Sequence, residues 1–331
     1  MFKIKNEGRP LRYPQISIII PLHKVTREFH ECLCACLELD YPKYEIIVVS
    51  DSQIVLNYPN VKILYTDLEN SSPAEKRDIA IKQCKGEICA FIDDDAYPAR
   101  DWLRNAIKHF ENSKIGAVGG PGITPESDSL MQKAGGAVYS SFLGSGENVY
   151  RFVPKVIREV DDYPAYNLLI RKSILQEIGG FSSTFYGGED TKICLNIVRL
   201  GKKIIYDPKV IVYHHRRPLF IRHLKQIKNV GIHRGYFVKA YPETSRKLFY
   251  FLPSVISIVF CLGIFLLFFS KIMRVVFFIV LALWLIAGFI SALRINKDIK
   301  IAFLAAFGIV ITHLTYGIAF VKGLTLKDLQ R

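Results

Sequence analysis

ICAFIDDDAYP, residues 88–98, is the stretch on which the reading of this chain turns: an apolar run that ends in three consecutive acids, Asp93, Asp94 and Asp95. A short, unbroken apolar run bounded by turn residues marks a strand buried on both faces. Adjacent carboxylates at its end repel one another unless a cation or a proton relieves them. Oxygen-rich clusters of this kind suit Mg²⁺ or Mn²⁺, which can also bridge a diphosphate. A solvated acidic turn capping the next helix explains the tripeptide equally well, so the surrounding elements must decide.

Working outward, Ile16–Ile20 reads as a first buried strand ended by Pro21, and a helix follows over about Arg27–Leu39 with Leu33, Cys36 and Leu37 on one side. Tyr41-Pro42 breaks it; Glu45–Val49 is a second strand with Asp51 just past its end, Val61–Tyr65 a third, and Pro73–Lys85 a helix. Beyond the acids come a helix over Trp102–Phe110 and a strand from Ile115 to Gly120 leading into a glycine-rich turn. Thr124–Asp162 has scattered glycines and no clear period, and is expected to be loops and short strands. A strand-to-helix transition over Leu168–Ile178, a helix over Thr191–Leu200 after Gly187-Gly188-Glu189-Asp190, and short strands Ile204–Tyr206 and Val210–Tyr213 complete the pattern. Strands alternating with helices predict an α/β fold with a mostly parallel sheet. In such sheets ligands collect beyond the carboxyl ends of the strands, where Asp51 and the triple acid both fall.

The apolar content, 50% of 331 residues, is enough for a sizeable core but is unevenly spread. Phe249–Ser270 and Val275–Leu293 carry no charge, and Ile301–Val321 has His313 as its one group that can carry charge near neutral pH. About 20 helical residues cross a 30 Å hydrocarbon layer, so all three qualify as spans, against the alternative of a buried core hairpin. The net charge of +14 is also localised: Lys202–Lys247 holds twelve Lys or Arg against Asp207 and Glu243. Within it, Phe220–Tyr236 reads as a basic amphipathic helix at the membrane surface. No aromatic-rich recognition module accompanies the charge, which sets nucleic acid aside as a partner. The polar, basic start and the short apolar run Ile16–Leu22 are unlike a secretory signal, and seven unpaired-looking cysteines fit the cytosol. Cys32, Cys34 and Cys36 step by two, which on a helix gathers no metal site; they read as small packing residues.

Two further clusters could carry chemistry. In GGED, Gly187–Asp190, the glycines allow close backbone approach and the acids stand at a helix start, where a carboxylate could take a proton from a hydroxyl; a simple helix cap is the alternative. In His214-His215-Arg216-Arg217 a histidine after a strand can ligate a metal and arginines match phosphate oxygens; alone, it would read as a basic surface patch.

Their order changes the balance. Over roughly Gln15–Arg217 the sequence resembles the family 2 glycosyltransferases, which have a GT-A fold. ISIIIPLHK resembles the family's first strand, whose end at Pro21 and Leu22 lines the nucleotide base, and YPKYEIIVVSDS the stretch before its base-binding acid, here Asp51. AEKRDIAIKQCKGEICAFIDDDAYP resembles the run from a nucleotide-contacting arginine, Arg77, to the DxD-type metal motif. NLLIRKSILQEIGGFSSTFYGGED resembles the acceptor half that ends in the catalytic base, and PKVIVYHHRR the late metal-binding histidine. Ser50 departs from the family's frequent acid pair, which leaves the base of the donor open among uridine, guanosine and thymidine. A QxxRW-type motif of processive synthases is not evident, which points to single additions.

The resemblance implies a Rossmann-like mixed sheet over residues 1–218; the charge and apolar runs add an interfacial segment over 219–248 and a membrane domain of about three helices over 249–331. It implies an inverting displacement with Asp190, flanked by Glu189, as general base. Asp93, Asp95 and His214 (His215 being the alternative register) would hold Mg²⁺ or Mn²⁺. Pro21, Leu22, Asp51, Arg77, Asp93, Asp94, Gly120, Asn167 and Arg217 would contact a UDP-, GDP- or dTDP-sugar. The acceptor would be lipid-linked or a surface glycan of the cell envelope, with the catalytic domain on the cytosolic side of a multi-pass membrane protein. Three spans would leave the basic tail Lys322–Arg331 outside, unless one segment is re-entrant or interfacial. A nucleotidyltransferase and a non-catalytic membrane protein with a degenerate sugar-binding domain are the rival classes.

Overall fold

The computed structural model describes residues 13–56, 58, 60–67, 70–183 and 188–329; Gly187 of the GGED motif and the first twelve residues lie outside them. Strands are β1 (Ile16–Leu22), β2 (Tyr44–Ser50), β3 (Val61–Tyr65), β4 (Ile88–Phe91), β5 (Ala96–Pro98), β6 (Ile115–Gly119), β7 (Gly122–Ile123), β8 (Arg158–Val160), β9 (Leu168–Arg171), β10 (Lys203–Tyr206) and β11 (Val212–His214). Helices are α1 (Arg27–Leu37), α2 (Pro73–Gln83), α3 (Trp102–Ile107), α4 (Leu130–Ser140), α5 (Phe142–Ser145), α6 (Lys172–Ile178), α7 (Glu189–Arg199), α8 (Ile221–Ala240), α9 (Pro242–Ser245), α10 (Leu248–Leu266), α11 (Lys271–Asn296) and α12 (Ile299–Thr325).

The main sheet has the order β3-β2-β1-β4-β9-β6-β10-β8, and a small sheet β5-β11-β7 stands beside it. β1 to β4 run parallel to one another; β9 enters antiparallel between β4 and β6, and β8 closes the edge antiparallel to β10. The sheet is therefore mixed, with helices on both faces. Alternate residues serve the two faces: Ile18, Ile20 and Val48 share one core with Phe29, Leu33 and Trp102, and Ile19, Ile47 and Val49 the other with Ala80, Phe181 and Ile193. Cys32 and Cys36 are packed in the first of these cores while Cys34 faces outward.

Pro21 does not end β1, which continues in register to Leu22↔Ser50. The Ile19 carbonyl accepts from Ile92 N, so Pro21, two residues on, turns its nitrogen to the same side. β4 has already ended there, its last pair with β1 being Ile19↔Phe91. The missing donor breaks no ladder bond.

The larger departure is in Thr124–Asp162, expected to be loops and short strands. It contains α4 and α5. Gly135 and Gly136 weaken helix propensity and hide α4 from a periodicity reading, but both are required by packing: a Cβ on Gly135 would lie 2.9 Å from the Arg217 carbonyl, and one on Gly136 would strike Thr124 Oγ1. The readable signal was the capping box, Ser129 with Gln132 at the third helical position.

α10, α11 and α12 are long and apolar enough to cross a membrane, and their outward-facing Ile, Val, Leu and Phe side chains mark the chain as membrane-associated. α8 is not a helix lying free on a surface: Gly231 and Gly235 press it against α12, where a Cβ on Gly235 would strike the Phe320 carbonyl. Gly235→Val should therefore separate the two helices and lower stability by about 2 kcal/mol, read as a drop in Tm in detergent; an unchanged Tm would mean that this crossing is not tight.

Candidate active site

β1, β2 and β4 run parallel and so end on one side, where the start of α7 and the loop after β11 join them, and the site is built there. α2 begins at Ser72 with a complete capping box to Glu75 and Pro73 in its first turn, which fixes the direction of Lys76 and Arg77. Both are buried, at 2% and 3% exposure. Lys76 Nζ donates to Asp51 Oδ2 at 2.7 Å and to the Leu22 carbonyl at 2.6 Å. Asp51 Oδ1 accepts from Thr66 Oγ1 at 2.9 Å and from Ser71 N at 3.3 Å. Burial acts to raise the Asp51 carboxyl, but the bonds from Lys76 and Thr66 outweigh it and hold the pKa below its usual value.

Arg77 points the other way. Its Nη2 donates to Asp93 Oδ1 at 2.7 Å, its Nη1 to Glu189 Oε1 at 3.3 Å, and Asp190 Oδ1 lies 3.7 Å from Nη1. The guanidinium sits over the Phe181 ring at 5.2 Å. One buried cation thus holds the acid motif of β4 beside the start of α7. Gly188 makes that start geometrically feasible: its φ of +80° is the left-handed conformation, and a Cβ there would lie 2.6 Å from the Phe237 ring. Asp190 Oδ1 and Glu189 Oε2 are buried with no hydrogen-bond partner among the described residues. Burial, with Glu189 adding repulsion, raises the Asp190 carboxyl well above the ordinary range in spite of Arg77.

The remaining piece is the end of β11 and the loop after it. His214 Nε2 is 3.1 Å from Asp95 Oδ1, and Arg217 Nη2 is 3.1 Å from Asp95 Oδ2. Burial acts against the Asp95 charge, yet His214 and Arg217 hold its pKa down at about 2. Asp94 turns back to accept from His23 N at 2.8 Å; burial, reinforced by Asp95 and Asp93, pushes it up to about 7. Asp93, Asp95 and His214 each offer a ligand atom within 4.8 Å of the others. His215, the alternative register, turns aside: Nδ1 meets Asp128 Oδ1 at 2.5 Å and Nε2 meets Glu31 Oε2 at 3.1 Å.

Residues 17–179 match the model of glycosyl transferase family 2. The chain carries a family 2 glycosyltransferase domain. A dolichyl N-acetyl-alpha-D-glucosaminyl phosphate 3-beta-D-2,3-diacetamido-2,3-dideoxy-beta-D-glucuronosyltransferase of Methanococcus voltae is 25% identical over 244 residues, covering 68% of this chain and 74% of its own. The pre-mycofactocin glycosyltransferase of Mycobacterium tuberculosis is 27% identical over 165 residues, 49% of this chain but 32% of that protein, so the chain matches about a third of that relative's length. Among solved structures, the mannosyltransferase PcManGT of Pyrobaculum calidifontis, in complex with GDP-Man and Mn²⁺, has a TM-score of 0.61 at 19% identity, over 96% of this chain and 89% of that one. The mixed sheet is thus the GT-A fold.

Two residues expected at the donor are placed elsewhere in this glycosyltransferase. Asn167 is fully buried and its amide is consumed internally. Oδ1 accepts from Trp102 Nε1 at 2.8 Å, and Nδ2 donates to the carbonyls of Gly120 at 2.6 Å and Val210 at 2.7 Å. Gly120 is equally enclosed: its carbonyl also takes Tyr163 OH at 2.7 Å, and a Cβ would strike the Val210 carbonyl. Its lack of a side chain is required by a crossing of two chain segments. Sequence reading also missed Lys76, hidden beside Arg77, and Asp78, which accepts from Phe181 N at 2.7 Å and Ser182 N at 2.9 Å and so anchors the loop that leads to the GGED motif. Asn167→Ala should strand the Trp102 donor and two carbonyls, costing about 3 kcal/mol of stability. Donor affinity of the folded fraction should be unchanged; a selective loss of donor binding at normal Tm would return Asn167 to the substrate.

Proposed function

We propose that this membrane-associated glycosyltransferase moves a hexose-type sugar, with inversion, from a nucleoside-diphosphate sugar to a hydroxyl of a lipid-linked or glycan acceptor. The observation that carries the reading is the meeting of Asp93, Asp95 and His214 within 4.8 Å, with Asp93 and Asp190 joined through Arg77. Two carboxylates and an imidazole from separate elements fit a divalent cation such as Mg²⁺ or Mn²⁺. When bound, that ion would neutralise charge on the departing nucleoside diphosphate.

The chain's own groups do the rest. Pro21, Leu22 and Asp51, at the carboxyl ends of β1 and β2, line the nucleoside, and Asp94 reaches the ribose. Arg217 is 53% exposed, free to turn from Asp95 to the phosphates. Asp190 accepts the proton of the acceptor hydroxyl as its oxygen attacks the anomeric carbon opposite the departing phosphate. Glu189 keeps that carboxylate basic by repulsion, and Arg77 ties it to the metal side. The GDP-Man bound to PcManGT supports a nucleoside-diphosphate sugar. The dolichyl phosphate named in the Methanococcus voltae relative supports a polyprenyl-linked acceptor at the membrane, and the three apolar helices support membrane association.

Asp190→Asn should lower transfer about a thousand-fold while Mn²⁺-dependent thermal stabilisation by UDP-, GDP- or dTDP-sugars persists; Asp95→Ala should abolish that stabilisation. Release of pyrophosphate instead of a nucleoside diphosphate would reject the reading. Because the Asp190 pKa is raised, its ionised form is lost as pH falls through a value nearer neutrality than for a free carboxylate. The acid limb of kcat/KM should therefore stand close to neutral and move to lower pH in Glu189→Gln, where the repelling charge is gone. An unmoved limb would mean that another group accepts the proton.

A further inference from the structure

α12 matches α10 and α11 in length and apolarity, but its neighbours differ in kind. Half of its most apolar window is buried by protein, against 17% and 11% for the other two. α8 runs beside it in the same direction. His223 Nε2 is 2.9 Å from Thr312 Oγ1, a Cβ on Gly231 would lie 2.9 Å from Ala319 Cβ, and Lys239 Nζ donates to the Leu326 carbonyl at 2.5 Å. The offset between partners is nearly constant, so the two helices stay parallel and in contact for about 24 Å. The first half of α12 is covered as well: Ala134, Ala137 and Val138 of α4 share a core with Ala302, Ala305 and Ile309.

α8 cannot lie at bilayer depth. Arg222, Lys225, Gln226, Lys228, Asn229 and Lys239 are all exposed along it, and charges there are costly and rare. A helix clamped to α8 along half its length, and to α4 along the other half, shares their level. α10 and α11 behave differently. They meet α12 on either side of its midpoint, Ser254 donating to the Gly317 carbonyl at 3.1 Å and a Cβ on Gly288 lying 3.4 Å from Ala306 Cα. Beyond that crossing they pair with each other through Phe260 and Phe277 and carry exposed apolar side chains to a turn followed by Lys271 and Arg274.

We propose that the α10–α11 hairpin alone crosses the bilayer. α12 then lies with α8 along the headgroup region of the leaflet facing the catalytic domain. Counted from Ser254, where it meets α12, α10 extends about 18 Å to Leu266; local thinning of the bilayer and the long side chains of Lys271 and Arg274 bridge the rest to the far headgroups. The exposed stripe Phe303, Phe307, Ile318 and Val321 on α12 faces the acyl boundary, and the basic face of α8 meets anionic headgroups. An even number of crossings keeps Lys322 and Lys327 on the side of the catalytic domain, in accord with the basic bias of short loops on one side. This placement is independent of the reaction catalysed.

The test uses the full-length chain in sealed vesicles and a membrane-impermeant maleimide, with labelling read peptide by peptide by mass spectrometry. Cys34, exposed on α1, marks the catalytic side. A cysteine-bearing tag fused after Arg331 should label with the same sidedness as Cys34, and Ser270→Cys in a Cys261→Ser background with the opposite one. Labelling of the tag opposite to Cys34 would show that α12 crosses and overturn the proposal; Ser270→Cys labelling with Cys34 would overturn it from the other end. The tag alters no packed residue, so that arm stands even if the tip variant fails to fold.

Discussion

Arg77 is the constraint on which the site depends. Asp93, Glu189 and Asp190 come from two elements far apart in sequence, and their negative charges would keep β4 and α7 apart at this edge of the sheet. A single buried guanidinium reaches Asp93 and Glu189 and lies within 3.7 Å of Asp190. Its pKa is raised by these carboxylates against the opposing effect of burial. Removing one partner of such a group leaves an uncompensated buried charge, which is far more harmful than never having had the pair. The arrangement also leaves Asp190 incompletely satisfied. That is the condition expected of a group that must take a proton and not merely hold a helix in place.

The meeting of Asp93, Asp95 and His214 was legible because its signals are local: an apolar strand ending in acids and a strand ending in histidines can be read from adjacent letters. So was the sheet, whose strands are short continuous apolar runs. The internal bonding of Asn167 and Gly120 was not legible, for the opposite reason. An asparagine and a glycine near a site look the same from sequence whether they face a ligand or a neighbouring backbone; the difference lies in Trp102 and Val210, which no spacing links to them. α4 escaped because its two glycines are explained by Thr124 and Arg217, partners that only the tertiary structure supplies. The two histidines mark the limit of what adjacent letters carry. Alternation after β11 sends one ring to Asp95 and the next to Asp128, and only the strand's register decides which is which.

The same distinction separates the three apolar helices. Hydropathy treats α10, α11 and α12 alike, because it measures what a helix could tolerate and not what lies against it. The glycines of α8 carry the missing information. Gly231 and Gly235 recur at a spacing of four, the spacing at which small residues let two helix backbones approach, and they meet Ala319, Phe320 and Gly323. In a helix as basic as α8 that spacing signals a protein partner, and the partner is α12.

The membrane side and the proposed base are physically continuous. Asp162 is buried between Arg234 of α8 and Arg151, and these arginines hold its pKa far below the ordinary range although burial opposes it. Its other oxygen accepts from Thr191 Oγ1 at 3.2 Å, the residue next to Asp190. Phe237, one turn beyond Arg234, packs where Gly188 has no side chain. The first turn of α7 is therefore pinned on one side by Arg77 and on the other by the helix that seats on α12. Any shift of α8 relative to the sheet must move Thr191 and Gly188 with it, or break a buried ion pair. The position of Asp190 is thereby set by the same packing that seats α8 on α12.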